Sequence, residues 1–187
     1  MNAPTPASAL DPVAVMELFD TSHQQIAAML ARLSQLSLDL AEQGTTLPLR
    51  QEARAVRDWL AKEAREHHLD EERHIFPPLM ASGDEELMHV TRLLVQDHGW
   101  LEADWYEMEP SLEATADGNV WFDPIVLRQG VEVFQQLYLD HIVLEESLAY
   151  PEARSRVNPA LLESMGREMA KRRAVRDAKE ARNKDKA

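Results

Sequence analysis

Four histidines in this chain are each followed four residues later by a glutamate: His67/Glu71, His68/Glu72, His98/Glu102 and His141/Glu145. With seven histidines in 187 residues, fewer than one such pair is expected by chance. On a helix, residues four apart lie one above the other, so each pair offers an imidazole nitrogen and a carboxylate oxygen on one face. That donor set suits a transition-metal ion. The chain has no cysteine, which excludes disulfides, iron–sulfur ligation, thiolate zinc sites and thiol nucleophiles. Any metal must be held by nitrogen and oxygen.

An internal repeat selects among the pairs. His67-x3-Glu71-x4-Phe76-Pro77 matches His141-x3-Glu145-x4-Tyr150-Pro151 position for position. Each is preceded at nearly the same distance by a further histidine, His23 before His67 and His98 before His141. The chain reads as two copies of histidine-bearing helix, turn, and helix with H-x3-E. In this register His68 and Glu72 fall about 100° round the helix from the favoured pair, at the rim of the site. Glu102, one turn after His98, either reaches the site or points to the rim. His74, seven residues after His67, returns almost to the same face and is a further candidate ligand. His89 is off the pattern.

The elements that must position these residues are helices. Six glycines and the lack of apolar–polar alternation speak against an all-β protein. Asp11-Pro12, Asp123-Pro124 and Asn158-Pro159 each set a capping side chain before a proline suited to a first helical turn. Two more starts follow Gly44-Thr45-Thr46 and Ser82-Gly83-Asp84. The pattern predicts helices over about 11–43, 48–76 or beyond, 84–109, 123–150, and from about 158. Their apolar seams step by three and four residues, as in Phe19, His23, Ile26, Leu30, Leu33 and in Phe134, Tyr138, His141, Glu145, Leu148. Each of the first four helices puts a histidine where a core leucine belongs. The fold class is all-α: an antiparallel up-and-down four-helix bundle with an additional C-terminal helix. Residues 1–10 read as a flexible N-terminus, 11–155 as the bundle, and 156–187 as a basic C-terminal helix or tail.

Helix rise sets the levels. At about 1.5 Å per residue, His23 and His67 both sit roughly 28 Å from the turn joining their helices. His98 and His141 match if the third helix runs past Pro110. The second and third helices match only if the second continues through Pro77 and Pro78, a strain for a helix. Four histidines and two glutamates at one level meet the needs of a pair of iron or manganese ions, imidazoles capping each and carboxylates shared. Burying them without metal would be costly.

The net charge of −13 is unevenly spread, since nine Lys or Arg face four Asp or Glu from Gly166 onward. The remaining body is too acidic for nucleic acid to be expected as a partner. No apolar run approaches the roughly 18 residues of a membrane span, and the start lacks a signal-peptide pattern, so a cytoplasmic protein without membrane contact is expected. The basic tail is either a solvated helix end or a docking element, for the acidic bundle itself, a protein partner or a second copy. The bundle is expected to be complete without the residues after Arg156.

The order His23, His67-x3-Glu71, His98, His141-x3-Glu145, with FP or YP after each pair, resembles the hemerythrin-like HHE cation-binding family over about residues 11–155. The resemblance implies an up-and-down bundle holding a non-haem diiron centre, two Fe ions with Mn the alternative. It implies His23, His67, His98 and His141 as terminal ligands and Glu71 and Glu145 as bridges. Glu102 stands where the family's oxygen carriers have a second histidine. Ligand order and spacing are closer to the repair-of-iron-centres proteins, whose cysteine-bearing N-terminal domain has no counterpart in this sequence. The expected function is binding of, or reaction with, a small diatomic or peroxide ligand (O2, NO or H2O2) in oxidative or nitrosative stress or iron homeostasis. A non-catalytic oxygen or iron sensor or iron-holding protein is the alternative. An oxidase or oxygenase acting on an organic substrate is third.

Overall fold

The computed structural model describes residues 12–184; the expected flexible segment at residues 1–10 lies outside the described residues. Helix α1 (Pro12–Gln43) stops at Gly44, whose φ of +67° is a left-handed conformation that glycine adopts without steric cost. Helix α2, residues 47–80, has proline in its first turn. Helix α3 (Glu85–Asp117) is capped by Asp84 Oδ1, which accepts the amides of Glu86 and Leu87. It ends at left-handed Gly118, where the Asn119 amide returns to the Ala114 carbonyl. Helix α4, residues 124–156, starts beneath Asp123, whose side chain accepts the Ile125 amide. Helix α5 (Pro159–Lys184) starts after Asn158, which caps the Leu161 amide. Each helix start thus follows from a capping side chain or a proline that the sequence displays.

Both conditions for level histidines are met. Helix α3 runs through Pro110, and α2 continues through Pro77 and Pro78 to Met80. The second is made possible by a local change of pitch. Helix α2 is α-helical at Leu47–Trp59, Arg65–Asp70 and Phe76–Met80, and π-helical at Leu60–Ala64 and Glu71–Ile75. Helix α4 repeats the device: Pro124–Leu144 and Tyr150–Arg156 are α-helical, and Glu145–Ala149 between them is π-helical. In both copies the aromatic residue before proline sends its amide back five residues, Phe76 to Glu71 and Tyr150 to Glu145. The wider turn frees backbone carbonyls just where proline cannot donate.

The bundle is antiparallel, and ion pairs between neighbours record it: Arg32 with Glu52, Arg57 with Glu113, Arg65 with Glu102, and Asp20 with Arg154. The apolar interior falls into two clusters. One, holding Leu30, Leu33, Val56, Leu112, Val131 and Phe134, fills the end near the α1–α2 and α3–α4 turns. The other holds Val15, Phe19, Ile75, Phe76, Leu94 and Tyr150. Between them lies the layer of histidine and glutamate.

Helix α5 belongs to the second cluster. Met165 and Met169, four residues apart on one face, are each 1% exposed within it. The two methionines share this cluster with Val15, Met16 and Phe19 of α1, so the apolar interior extends past Arg156, against the expectation that the bundle is complete there. The basic tail docks on the chain's own acidic face. Arg172 and Arg173 both donate to the buried Asp70 carboxylate, Arg172 also reaches Glu66 at 3.2 Å, and Arg176 faces Glu63 and Glu66. No helix among the described residues is long and apolar enough to cross a membrane.

Candidate metal centre

Helix α1 brings His23, α2 brings His67 and Glu71, α3 brings His98, and α4 brings His141 and Glu145 into one buried layer. Glu71 and Glu145 are fully buried. Each carboxylate turns one oxygen to either side. Glu71 Oε1 lies 3.2 Å from His67 Nε2 and 3.8 Å from His23 Nε2, while its Oε2 lies 3.4 Å from His98 Nε2. Glu145 Oε2 lies 3.1 Å from His23 Nε2, and its Oε1 lies 3.2 Å from His141 Nε2. Two groups result, His23, His67, Glu71, Glu145 and His98, His141, Glu71, Glu145. Within each, one donor atom per residue lies within 4.8 Å of all the others. Both glutamates belong to both groups.

A cation fits this donor set. His67 Nε2, Glu71 Oε2 and both Glu145 oxygens are buried with no hydrogen-bond partner, although imidazoles and carboxylates face each other at salt-bridge distance. Unsatisfied polar atoms at this depth cost free energy that a shared cation would recover.

Protons take the cation's part when no metal is bound. Burial alone would lower the pKa of His23, but hydrogen bonds and charge from Glu145 and Glu71 hold it at about 10. His141 is held at about 9 against the same desolvation by Glu145 and Asp97. His67, fully desolvated and next to three other imidazoles, falls to about 3 despite Glu71. Burial raises Glu71, yet the facing histidines outweigh it and keep the carboxyl well below its usual range.

The residues outside the two groups hold those inside. Glu72 Oε1 accepts His98 Nδ1–H at 2.9 Å, and Glu146 Oε1 accepts His23 Nδ1–H at 3.0 Å. Asp97 lies 3.5 Å from His141 Nδ1. The two hydrogen bonds aim the Nε2 atoms of His98 and His23 inward. Tyr150 lies over His23 and donates its hydroxyl to Glu71 Oε1 at 2.5 Å. His68 stacks on His98 and is hydrogen-bonded to Tyr138 at 2.7 Å, which puts His68 nearer the cluster than a rim position. The reading from sequence missed the roles of Glu146 and Tyr150. The doublets Glu71-Glu72 and Glu145-Glu146 in the repeat carried the signal for the first.

The six principal candidates are brought together; Glu102 and His74 are not. Glu102 is exposed, 3.4 Å from Arg65 and accepting the Tyr106 hydroxyl. A single α-helical turn past His98 carries it outward along the α2–α3 seam. His74 would return to the His67 face in a regular helix, but the π-helical turn at Glu71–Ile75 rotates it away. Its Nε2 is 2.8 Å from Glu168 of α5.

A family model for the hemerythrin HHE cation-binding domain matches residues 14–153. The chain belongs to this family. No curated protein matches the chain. As a hemerythrin HHE domain it is a metal-binding helical bundle, and the match covers all six residues of the layer. The hemerythrin family's cation-binding character accounts for a layer that would otherwise be a costly polar seam through an apolar core.

Proposed function

We propose that this hemerythrin-family protein holds two metal ions, iron with manganese the alternative, and binds or reacts with oxygen, nitric oxide or hydrogen peroxide. His23 and His67 would be terminal ligands of one ion, His98 and His141 of the other, and Glu71 and Glu145 would be shared. The setting is cytoplasmic oxidative or nitrosative stress, or iron homeostasis. The observation that carries this reading is the overlap of the two donor groups in both glutamates, each presenting one oxygen per side. When bound, such a pair supplies a Lewis-acid, electron-donating centre with positions left for a small ligand.

The chain's own residues prepare that centre. Glu146 and Glu72 fix His23 and His98 with Nε2 free to ligate. Tyr150 steadies Glu71 through its hydroxyl, and the apolar clusters on either side exclude water. Replacing Glu72 or Glu146 by alanine is expected to weaken metal binding by about 10–100-fold without abolishing it. Unchanged affinity in a chelator competition would mean that packing alone orients the histidines.

Metal uptake is expected to release protons. His23 and His141, with pKa values near 10 and 9, are protonated at neutral pH in the metal-free protein and must lose that proton to ligate. Affinity should therefore rise as pH increases from neutrality and level off above about 10. A chelator competition whose result is independent of pH over that range would refute the proton count.

Rapid mixing of the anaerobically reduced, iron-loaded protein with each of the three ligands tests the function. At least one should change the visible spectrum within the first turnover, and silence toward all three overturns the reading. A second reading, a non-catalytic sensor, is favoured by Asp70, which neighbours Glu71 and holds Arg172 and Arg173 of α5. A spectral adduct that persists without turnover would support it.

A further inference from the structure

Between α2 and α3 the surface opens into a cavity of about 360 Å³. Its buried wall is made by Leu60, Ala64, His98, Leu101, Phe134 and Tyr138, so the space ends against the histidine layer. A water molecule's share of liquid volume is about 30 Å³, and a diatomic ligand needs little more. Sites for organic ligands run from roughly 300 to 1,000 Å³.

Gly99 keeps this space open. It lies inside α3 beside His98 and lines the cavity. Its φ is not positive, and a Cβ placed there would meet nothing within 4 Å. Neither the backbone nor the packing of this chain calls for glycine, which weakens a helix interior relative to alanine. What the missing side chain provides is volume beside His98.

The rim sets the charge of an occupant. Arg65 is taken up by Glu102. Glu72 also lines the cavity, and so does the half-buried Glu109, which has no ion-pair or hydrogen-bond partner among the described residues. Trp105 and Tyr106 add aromatic surfaces that attract cations. Along α3, Glu109 lies about 16 Å from His98 at the helical rise. The space is long, apolar inside and negative at its far end.

We propose that this cavity binds an elongated organic cation, an amine on an apolar or aromatic body, with its ammonium at Glu109 and its body over Gly99 toward His68 and His98. This goes beyond the small ligands considered above and does not depend on which metal ions are bound.

Calorimetric titration of the metal-free and metal-loaded protein with phenylbutylamine, phenylbutanol and phenylbutanoate tests it. The amine should bind about tenfold more tightly than the carboxylate, with the alcohol between, whether or not metal is present. Gly99→Leu should raise Tm by a few degrees while weakening all three probes about tenfold or more. Glu109→Gln should bring the amine to the affinity of the alcohol. Ala61→Leu, on the facing and exposed wall, repeats the blocking test should Gly99→Leu not fold. Equal binding of the three probes would overturn the cation assignment. No binding of any probe, or binding untouched by both blocking substitutions, would overturn the site. Because these readouts need no metal, their failure leaves the metal centre standing, and loss of the metal centre leaves them interpretable.

Discussion

Replacing His67 or His141 by alanine is expected to strip most of the bound metal, lowering affinity by more than the roughly 10–100-fold that loss of an outer partner costs. Each of the two glutamate-sharing groups has two imidazoles, His23 with His67 and His98 with His141, and His68 lies within 4.8 Å of the second pair. Removing His67 leaves two shared carboxylates and a single nitrogen on its side, and removing His141 leaves His98 with only His68, which is in neither glutamate-sharing group, beside it. Elemental analysis of purified variants reads the outcome directly. His68→Ala is the control for register: His68 stacks on His98 and bonds to Tyr138, but it is in neither glutamate-sharing group. Iron lost from His68→Ala and retained in His67→Ala would put the assignment one residue out.

Truncation after Arg156 is expected to destabilise the protein severely. Full burial of a methionine side chain is worth about 1.5–3 kcal/mol, and both Met165 and Met169 are buried. Their removal also takes two members from the cluster that holds Val15, Met16 and Phe19. Truncation further takes from Asp70 the two arginines that hold its carboxylate, and opens that carboxylate to water. The two methionines alone, at about 3–6 kcal/mol, are a large share of the whole stability of an ordinary domain, about 5–15 kcal/mol. Denaturant unfolding of the full and truncated chains checks this, with the double variant Met165→Ala, Met169→Ala isolating the apolar part. An unchanged midpoint would mean that α5 rests on a core already complete.

The helices and the layer were legible because both depend on local rules. Capping residues before proline mark three of the five starts, and seams stepping by three and four residues put His23, His67, His98 and His141 inward. The H-x3-E repeat singled out Glu71 and Glu145 without any knowledge of contacts. What escaped was non-local or broke the helical period. A π-helical turn adds a residue with no composition of its own, so His74 was carried to the wrong face. Met165 and Met169 sit in a basic stretch whose charge masks a two-residue apolar stripe. Glu146 reads as an ordinary exposed carboxylate until His23, over a hundred residues away, is placed beside it.

The division of the apolar interior into two clusters by a polar layer makes that layer a cross-link in the polymer sense. Four helices meet there from points far apart in a chain that has no cysteine. An ion held by residues of α1, α2 and α4, with a second held by residues of α2, α3 and α4, would close long loops. The gain from such closure lies largely in the freedom denied to the unfolded chain, and it grows with the logarithm of loop length. The metal layer would thus act as the staple of a cysteine-free fold, joining two separately packed halves into one cooperative unit.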